Sequence, residues 1–342
     1  MRFYILGTGS AGCNTAFHLR SHHEVTLILR SQRALQDFHK RKNEITYQRA
    51  NQTNSIKIGG FDTMVASHQI LSNNLKNTMD VVIVTTKAQH VTEAVASIKP
   101  YLTRFSTLIL LQNGMGVVKE LIDSLWPGPE EQKNLPAIIR GVNNHATIRT
   151  KPFSVQHITG WDNPNYGYFL AAVPFIGTRS LFHDERQYYE QTNAVIQTFS
   201  DIPDLNTKKV DWQDLYERMM RKLVVNCSLN ALSGILESTN GPMIENPYVV
   251  QLIRSICKEC AEVLIEINTT TEDLYKVVEH TAYTASTSKT STFQDILAKR
   301  LTEMEYINGY IVRLAKERNI PAPTNQLLLN LLHAKEHHIQ AS

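Results

Sequence analysis

The sequence predicts two domains, an N-terminal α/β domain built on a parallel sheet and a C-terminal all-α domain. At 342 residues the chain is longer than a single hydrophobic core usually supports. In its first part, short apolar segments alternate with helical segments, which is the pattern of βαβ units. Beyond about residue 210 only helical periodicity remains. We therefore predict a first domain over residues 1–205 and a second over residues 206–342.

Each predicted element follows from its local pattern. Buried strands are short apolar runs that end in turn residues, and helices carry an apolar face. In the first domain, strands are expected at 2–6, 25–29, 56–60, 81–84, 107–111, 137–139, 153–157 and 168–172, with helices at 11–20, 31–43, 88–99, a helix ending near 125, and 185–199. In the second domain, helices are expected at 211–235, 247–268, 272–281, 292–318 and 324–337.

The composition is that of an ordinary globular protein and excludes several classes of function. The net charge of +3 comes from 35 basic and 32 acidic residues, so no nucleic-acid partner is expected. No apolar run reaches the length of a membrane span, and no targeting segment precedes the first predicted strand. We therefore expect a cytoplasmic protein without a membrane partner.

Cysteine and histidine patterns predict no metal site. Four cysteines do not make a disulfide scaffold, and we interpret Cys257 and Cys260 as ordinary helix residues, with a redox or metal pair as the alternative. His333 and His337 lie four apart on a predicted helix without an acidic or cysteine partner at ligand spacing. We expect them to be solvated surface residues.

A glycine-rich turn follows the first predicted strand and opens a helix. In this context the first glycine allows a tight turn, the second lets a pyrophosphate approach the backbone, and the third lets strand and helix pack closely. The free N–H groups of the helix terminus then face the phosphates. The pattern therefore predicts a Rossmann-type dinucleotide site at Gly7, Thr8, Gly9, Ser10, Ala11 and Gly12.

The end of the second strand predicts which dinucleotide is bound. An NAD site usually carries Asp or Glu there to accept from the ribose 2′-hydroxyl. This chain instead has Arg30, whose guanidinium can pair with a 2′-phosphate, so we expect NADP(H). Lys87 and Asn113 follow two further strands, at the edge where ligands of open α/β sheets lie. A surface lysine and a plain turn remain the alternatives for these two residues.

The helical half contains two polar clusters. Lys222, Asn226 and Asn230 are spaced four apart among apolar residues, so an α-helix would place them in one stripe that faces partners or a ligand. Exposure to solvent is the alternative for this stripe. Ser291 and Gln294 have the spacing of a capping box, which is the simpler interpretation of that segment.

Together these residues resemble the ketopantoate reductase (2-dehydropantoate 2-reductase) family. The motifs occur in the family's order and span nearly the whole chain. They are Gly7-x-Gly9-x-x-Gly12, Thr86-Lys87, Gln112-Asn113-Gly114-Met115-Gly116, Lys222-x-x-x-Asn226-x-x-x-Asn230, Ser291-x-x-Gln294-Asp295 and Thr302-Glu303-x-x-Tyr306-Ile307-Asn308-Gly309. The resemblance implies a Rossmann domain followed by a helical domain like the C-terminal one of 6-phosphogluconate dehydrogenase.

The resemblance also implies a function and the role of each matched residue. The function is NADPH-dependent reduction of 2-dehydropantoate in pantothenate biosynthesis, an oxidoreductase reaction. Lys222 would be the general acid and Glu303 would hold it beside the forming hydroxyl. Asn113, Asn226, Asn230 and Ser291 would bind substrate, and Arg30, Lys87 and Asn113 would contact the cofactor.

Three alternatives stay open at this point. The chain could reduce a related 2-keto acid, or it could be an NADP-binding sensor that has lost turnover. The presence of the whole set from Lys222 to Glu303 counts against the sensor. The helical half could also form a homodimer, which is compatible with catalysis.

Overall fold

The computed structural model describes residues 1–66, 78–175 and 184–341. Contacts divide the chain into two compact units. The first comprises Met1–Gln112 with Val118–Leu215, and the second comprises Asn113–Val117 with Tyr216–Ser342. We call them the dinucleotide unit and the helical unit.

The strands and helices are as follows. The strands are β1 Phe3–Leu6, β2 Val25–Leu29, β3 Ile45–Arg49, β4 Ile56–Ile58, β5 Asp62–Val65, β6 Val81–Val84, β7 Thr107–Leu110, β8 Ala137–Asn143, β9 Ala146–Lys151, β10 Ser154–Thr159, β11 Tyr168–Ala172 and β12 Lys208–Lys209. The helices are α1 Ser10–Arg20, α2 Gln32–His39, α3 Val91–Ala96, α4 Val117–Leu125, α5 Pro129–Gln132, α6 Glu185–Ser200, α7 Trp212–Val225, α8 Ala231–Leu236, α9 Asn240–Glu245, α10 Pro247–Val263, α11 Thr271–Thr284, α12 Ser291–Leu297, α13 Asn308–Glu317 and α14 Pro323–Ala341.

The dinucleotide unit is built on a sheet of eight strands in the order β12-β11-β8-β7-β6-β1-β2-β5. All neighbours pair in parallel except β8 and β11, which are antiparallel. Strands β2 and β6 flank β1 on opposite sides, so the chain reverses its direction of progress across the sheet beside β1. In open α/β sheets ligands bind outside the carboxyl ends of the strands at such a point.

A second sheet of four strands, in the order β4-β3-β10-β9, was not predicted as a unit. Only the segments near β4 and β10 were expected as strands. β3 and β9 are rich in polar residues, because β9 is largely exposed and β3 is buried at only part of its length. Their strand conformation comes from pairing with β10 from both sides.

The boundary between the units lies after Leu215 rather than at residue 205. Strand β12 pairs in parallel with β11 and so belongs to the large sheet. After its short excursion at Asn113–Val117, the chain finally passes into the helical unit after the first residues of α7.

The helical unit contains one short helix that was not predicted, α9, and it differs from its prediction within two longer segments. The single helix expected over 292–318 is wrong: α12 ends at Leu297, Lys299 has a left-handed φ of +51°, and α13 begins only at Asn308. In addition, the helix expected over 211–235 contains a π-helical turn at Asn226–Asn230, between α7 and α8. Across the described residues, we find no helix whose length and apolar character would suffice to cross a membrane.

Candidate active site

The glycine turn is shaped by close backbone packing. Gly7, at the carboxyl end of β1, has a φ of +111°, which favours glycine. A Cβ on Gly12 would lie 1.9 Å from the carbonyl oxygen of Gly7, so only glycine lets α1 begin this close to β1. These are the first and third positions of the fingerprint, and both meet the need predicted for them.

The second position of the fingerprint is open. Gly9 is the N-cap of α1, and a Cβ there would meet no atom within 4 Å. No side chain caps this helix, and its first turn carries no acidic residue. The terminal N–H groups of Ser10 and Ala11 therefore remain available for an anion, which fits the pyrophosphate of a dinucleotide.

The neighbouring strand holds the glycine turn in place. Thr85, just after β6, donates a hydrogen bond from Oγ1 to the Gly7 carbonyl oxygen at 2.6 Å. The buried Oγ1 of Thr86 has no hydrogen-bond partner among the described residues. The motif Thr86-Lys87 did not indicate the part played by Thr85. The sequence could have indicated this role, because Thr85 is a hydroxyl residue directly after β6, the strand that pairs with β1.

The predicted NADP contacts lie at the carboxyl ends of two strands. Arg30 is exposed directly after β2. The next residue, Ser31, caps α2 by accepting from the Ala34 N–H at 3.2 Å. No acidic side chain is found in the first turn of α2 to accept from a ribose 2′-hydroxyl. The Arg30 guanidinium and the Ser31 hydroxyl therefore suit a 2′-phosphate better. Lys87 is half-buried after β6 and precedes a short 3₁₀ turn.

Asn113 belongs to the helical unit, where a short segment around it is fixed by Tyr306. The Met115 N–H donates to the Tyr306 carbonyl oxygen at 2.8 Å. Gly114 has a φ of +80°, and a Cβ there would lie 2.5 Å from the same oxygen. The Asn113 turn is thus held against the segment that follows Glu303.

The polar stripe of the helical unit is not carried by a regular α-helix. Lys222 is half-buried on α7. Asn226 and Asn230, which are 8% and 7% exposed, are the first and last residues of the π-helical turn. A π-turn changes the rotation between residues four apart, so Asn226 and Asn230 are not spaced as in a regular α-helix. Turns of this kind occur frequently at functional sites.

Asn230 and Ser291 are brought together, although they lie far apart in the sequence. The Asn230 Nδ2 donates to the Ser291 Oγ at 3.2 Å. The capping box expected at Ser291 is wrong, because Thr290 caps α12 by accepting from the Phe293 N–H. Gln294 reaches the Lys289 carbonyl oxygen instead. The Ser291 hydroxyl is therefore not used for capping and faces the Asn230 amide.

Glu303 is half-buried and follows a firmly anchored residue. Thr302 donates from its backbone N–H and its Oγ1 to the same oxygen of the buried Glu336, at 2.7 and 2.6 Å. Glu336 also contacts His333, whose other ring nitrogen lies 2.8 Å from Glu305. The expectation that His333 has no acidic partner is therefore wrong, although its side chain is 41% exposed. Glu336 lies three residues further along the same helix, at a spacing that brings side chains together, and Glu305 comes from a turn 28 residues earlier.

The cysteines are free and buried. Burial raises the pKa of Cys257 to about 12. A hydrogen bond to Cys227, together with burial, raises the pKa of Cys260. Neutral thiols of this kind are poor nucleophiles and poor ligands. No group of histidine, cysteine and carboxylate side chains within the described residues could hold a metal ion.

The structure thus gathers the predicted residues into two groups. The dinucleotide unit holds the glycine turn, Arg30 and Lys87. The helical unit holds Asn113, Lys222, Asn226, Asn230, Ser291 and Glu303. The first group offers backbone donors and cations, and the second offers amides, a hydroxyl, an ammonium and a carboxylate.

Comparison with known proteins points to one family. The family model "Ketopantoate reductase PanE/ApbA" matches residues 3–170, and "Ketopantoate reductase PanE/ApbA C terminal" matches residues 214–336. The chain is 28% identical to a protein of Schizosaccharomyces pombe named "Probable 2-dehydropantoate 2-reductase", over 97% of this chain and 95% of that protein.

Solved structures share the fold. A D-mandelate dehydrogenase bound to NADH and anilino(oxo)acetate superposes with a TM-score of 0.80 at 21% identity, covering 99% of this chain and 100% of the other. A dimeric ketopantoate reductase from Staphylococcus aureus gives a TM-score of 0.72 at 17% identity, covering 99% and 100% of the two chains. With family models matching most of its length, the chain belongs to the ketopantoate reductase family.

Proposed function

We propose that this protein reduces 2-dehydropantoate to pantoate with NADPH. The observation that carries the proposal is the grouping of the helical unit's polar residues, above all the contact between Asn230 and Ser291. These residues come from segments some sixty positions apart, and both are among the matched family motifs. A non-catalytic sensor would not require them to be kept together.

The dinucleotide unit supplies the cofactor site. Backbone N–H groups at Ser10 and Ala11 would bind the pyrophosphate, with Gly9 leaving room for its approach. The Arg30 guanidinium would pair with the 2′-phosphate, and Lys87 would add a second cation. The bound nicotinamide supplies the hydride that reduces the ketone.

Lys222 would act as the general acid in the helical unit. Hydride addition places negative charge on the ketone oxygen, and an ammonium that can transfer a proton lowers the barrier by about 10²- to 10⁴-fold in rate. The Nζ–H bond breaks as the O–H bond of the product alcohol forms. Glu303 would keep the ammonium oriented, with Thr302 anchored to Glu336 behind it.

The amides and the hydroxyl would recognise the rest of the substrate. Asn226, Asn230 and Ser291 present neutral donors and acceptors, which suit the hydroxyl and carboxylate groups of a hydroxylated keto acid. Buried polar groups discriminate strongly against a substrate that leaves them unpaired. Asn113 would contact the substrate next to the cofactor's reactive end.

A second substrate class is suggested by the likeness to D-mandelate dehydrogenase, whose structure contains NADH and an aryl keto acid analogue. A related 2-keto acid reductase, or one less strict for NADPH, therefore remains the second candidate. The expected homodimer and cytoplasmic location stay predictions. Gel filtration tests the first, since one family member is described as dimeric.

The test is turnover by the purified protein. NADPH oxidation is followed by absorbance with 2-dehydropantoate, with other branched 2-keto acids and with an aryl keto acid. Lys222→Ala should lower kcat by about 10²- to 10⁴-fold, whereas Lys258→Ala, which removes an exposed lysine from α10 of the same unit, should leave it unchanged. Absence of turnover with every keto acid contradicts the reductase, and full activity of Lys222→Ala contradicts the mechanism.

Cofactor choice is tested in the same assay. Removing the Arg30 charge should weaken NADPH binding by about 10- to 100-fold, since hydrogen bonds to charged groups contribute about 1.5–3 kcal/mol. NADH binding should change little. Arg104→Ala, another exposed arginine of the dinucleotide unit, serves as the control.

A further inference from the structure

The π-helical turn that carries Asn226 and Asn230 is held by a buried side chain from another helix. Asn308, the first residue of α13, is fully buried. Its Nδ2 donates to the Cys227 carbonyl oxygen inside the turn at 3.2 Å, and to Asn325 Oδ1 at 2.9 Å. The bond adds a side-chain donor at a buried carbonyl, and a buried polar group that is left unpaired costs about 1–3 kcal/mol.

The orientation of the Asn308 amide is fixed by a chain of hydrogen bonds. The buried carboxylate of Glu259 can only accept, and it receives the Asn325 Nδ2 at 2.8 Å as well as the backbone N–H groups of Thr324 and Asn325 at 2.6 and 2.9 Å. Asn325 therefore presents its Oδ1 to Asn308. Asn308 in turn faces two acceptors and must present its Nδ2.

This chain also ties the turn to the start of α14. Glu259 accepts from the first N–H groups of α14, where a carboxylate is stabilised by the helix dipole. The line from Glu259 through Asn325 and Asn308 to Cys227 thus joins α10, α14, α13 and the π-turn. All three side chains in it are at least nine-tenths buried.

We propose that Asn308 is a positioning residue for the reductase: by holding the Cys227 carbonyl it keeps the π-turn formed and its two asparagines, Asn226 and Asn230, aimed at the substrate. The inference rests on the proposed function, since it takes these asparagines to bind the keto acid. A relaxation of the turn to regular α-helix would rotate Asn230 away from Ser291.

The test uses three variants of Asn308 in the full chain. Asn308→Asp keeps the shape of the side chain but replaces its donor by a carboxylate oxygen, which cannot donate to the Cys227 carbonyl or to Asn325 Oδ1. Asn308→Ala removes the donor, and Asn308→Ser keeps a donor in a smaller side chain. kcat/KM for the keto acid should fall by about 10- to 100-fold in Asn308→Asp and Asn308→Ala, as expected when binding groups are misplaced by about an ångström. The decrease in Asn308→Ser should be smaller. NADPH affinity should change little, since the glycine turn, Arg30 and Lys87 lie in the other unit.

The control separates positioning from stability. Ile311→Ala removes a fully buried side chain one turn further along α13 and should lower the free energy of unfolding without lowering kcat/KM for the keto acid at a temperature where the variant is folded. Wild-type kcat and KM in folded Asn308→Asp overturn the proposal. If Asn308→Asp and Asn308→Ala fail to fold, the test uses Asn308→Ser. Wild-type kcat and KM in that variant overturn the proposal equally.

Hydrogen exchange keeps the proposal independent of the substrate assignment. If the wild-type protein turns over no keto acid, the proposed function fails. Amide exchange in residues 226–231 should nevertheless be faster in folded Asn308 variants than in wild type and in Ile311→Ala. Unchanged exchange there overturns the positioning role.

Discussion

The two units build their binding groups from different material. In the dinucleotide unit the site is mainly backbone, namely a glycine turn and a helix terminus whose shape depends on which residues lack a Cβ. In the helical unit it is made of side chains from separate segments, such as Asn230 and Ser291. A backbone site tolerates almost no added volume at its tight positions, whereas a side-chain site depends on what holds each side chain in place.

The units also keep their partnered histidines in opposite environments. In the dinucleotide unit, His145 and His157 form a buried chain from Tyr47 to the Leu205 carbonyl oxygen, with contacts of 2.8, 3.0 and 3.0 Å. In the helical unit, His333 lies between two glutamates. The first environment favours the neutral ring and the second favours the charged ring.

The largest effect expected from this difference is acid destabilisation of the dinucleotide unit. Burial lowers the pKa of His157 to about 3 and those of His18 and His145 to about 4, although Asp204 partly opposes this at His18. All three histidines bind protons more readily in the unfolded chain. Their contribution to the free energy of unfolding is therefore complete above pH 6.5 and is lost as the pH falls toward 4. Each contributes up to about 1.4 kcal/mol per pH unit.

Urea unfolding at pH 7 and pH 5 tests this expectation. All three tryptophans, Trp126, Trp161 and Trp212, lie in the dinucleotide unit, so their fluorescence reports on it. His157→Gln, which cannot titrate, should show a smaller loss between the two pH values, and the exposed His22→Gln should behave as wild type. Equal free energies of unfolding at both pH values would contradict the neutral cluster.

The next effect contrasts two glycines of one turn. Gly12→Ala should lower the free energy of unfolding by about 1–3 kcal/mol or more, because the new methyl group would meet the Gly7 carbonyl, which cannot rotate away. Gly9→Ala should leave stability nearly unchanged but weaken NADPH binding, since its methyl group enters the open space left for the pyrophosphate. Unfolding curves and NADPH titration of both variants measure this. Equal destabilisation by both would show that the turn is not packed as described.

The smallest effect concerns His333. Its partial burial favours the neutral ring, but hydrogen bonds to Glu336 and Glu305 outweigh burial and raise its pKa. Its contribution is therefore present below pH 6.5 and is lost as the pH rises through the raised pKa. The side chain is 41% exposed, which limits the effect to about 1 kcal/mol or less.

The measurement compares His333→Gln with His337→Gln, an exposed histidine one turn further along α14. Urea unfolding, followed by far-UV circular dichroism, should show a lower free energy of unfolding for His333→Gln than for wild type at pH 6. This difference should disappear by pH 8.5. His337→Gln should match wild type at both. A gap that widens at high pH would mean that the ring is held neutral.

Local features were predictable from the sequence because their causes are local. Short apolar runs predicted β1, β2, β6 and β7 to within a residue or two. The glycine spacing predicted where the chain turns into α1, since glycine alone tolerates the conformation of Gly7 and the closeness of Gly12. The grouping of helices in the second half followed from periodicity in the same way.

Features that depend on distant partners were not predictable. The strands β3 and β9 need β10, and the end of α12 needs Lys299 in a left-handed conformation followed by the anchored Thr302. Spacing alone made Ser291 a cap, whereas the fold gave that task to Thr290 one residue earlier. His333 also contacts Glu305, 28 residues earlier, which its own helix pattern did not reveal.

The sequence by itself thus determined the central strands of the first unit, the glycine turn and the identity of the polar residues, because each depends on chain-local sterics and burial. Only the tertiary structure decided how those polar residues are presented. The choice between an α-helical and a π-helical turn at Asn226–Asn230 is made through Asn308 and Asn325, roughly eighty and a hundred residues further along the chain. The Asn308 amide can reach the Cys227 carbonyl only because the folded chain brings α13 against the turn.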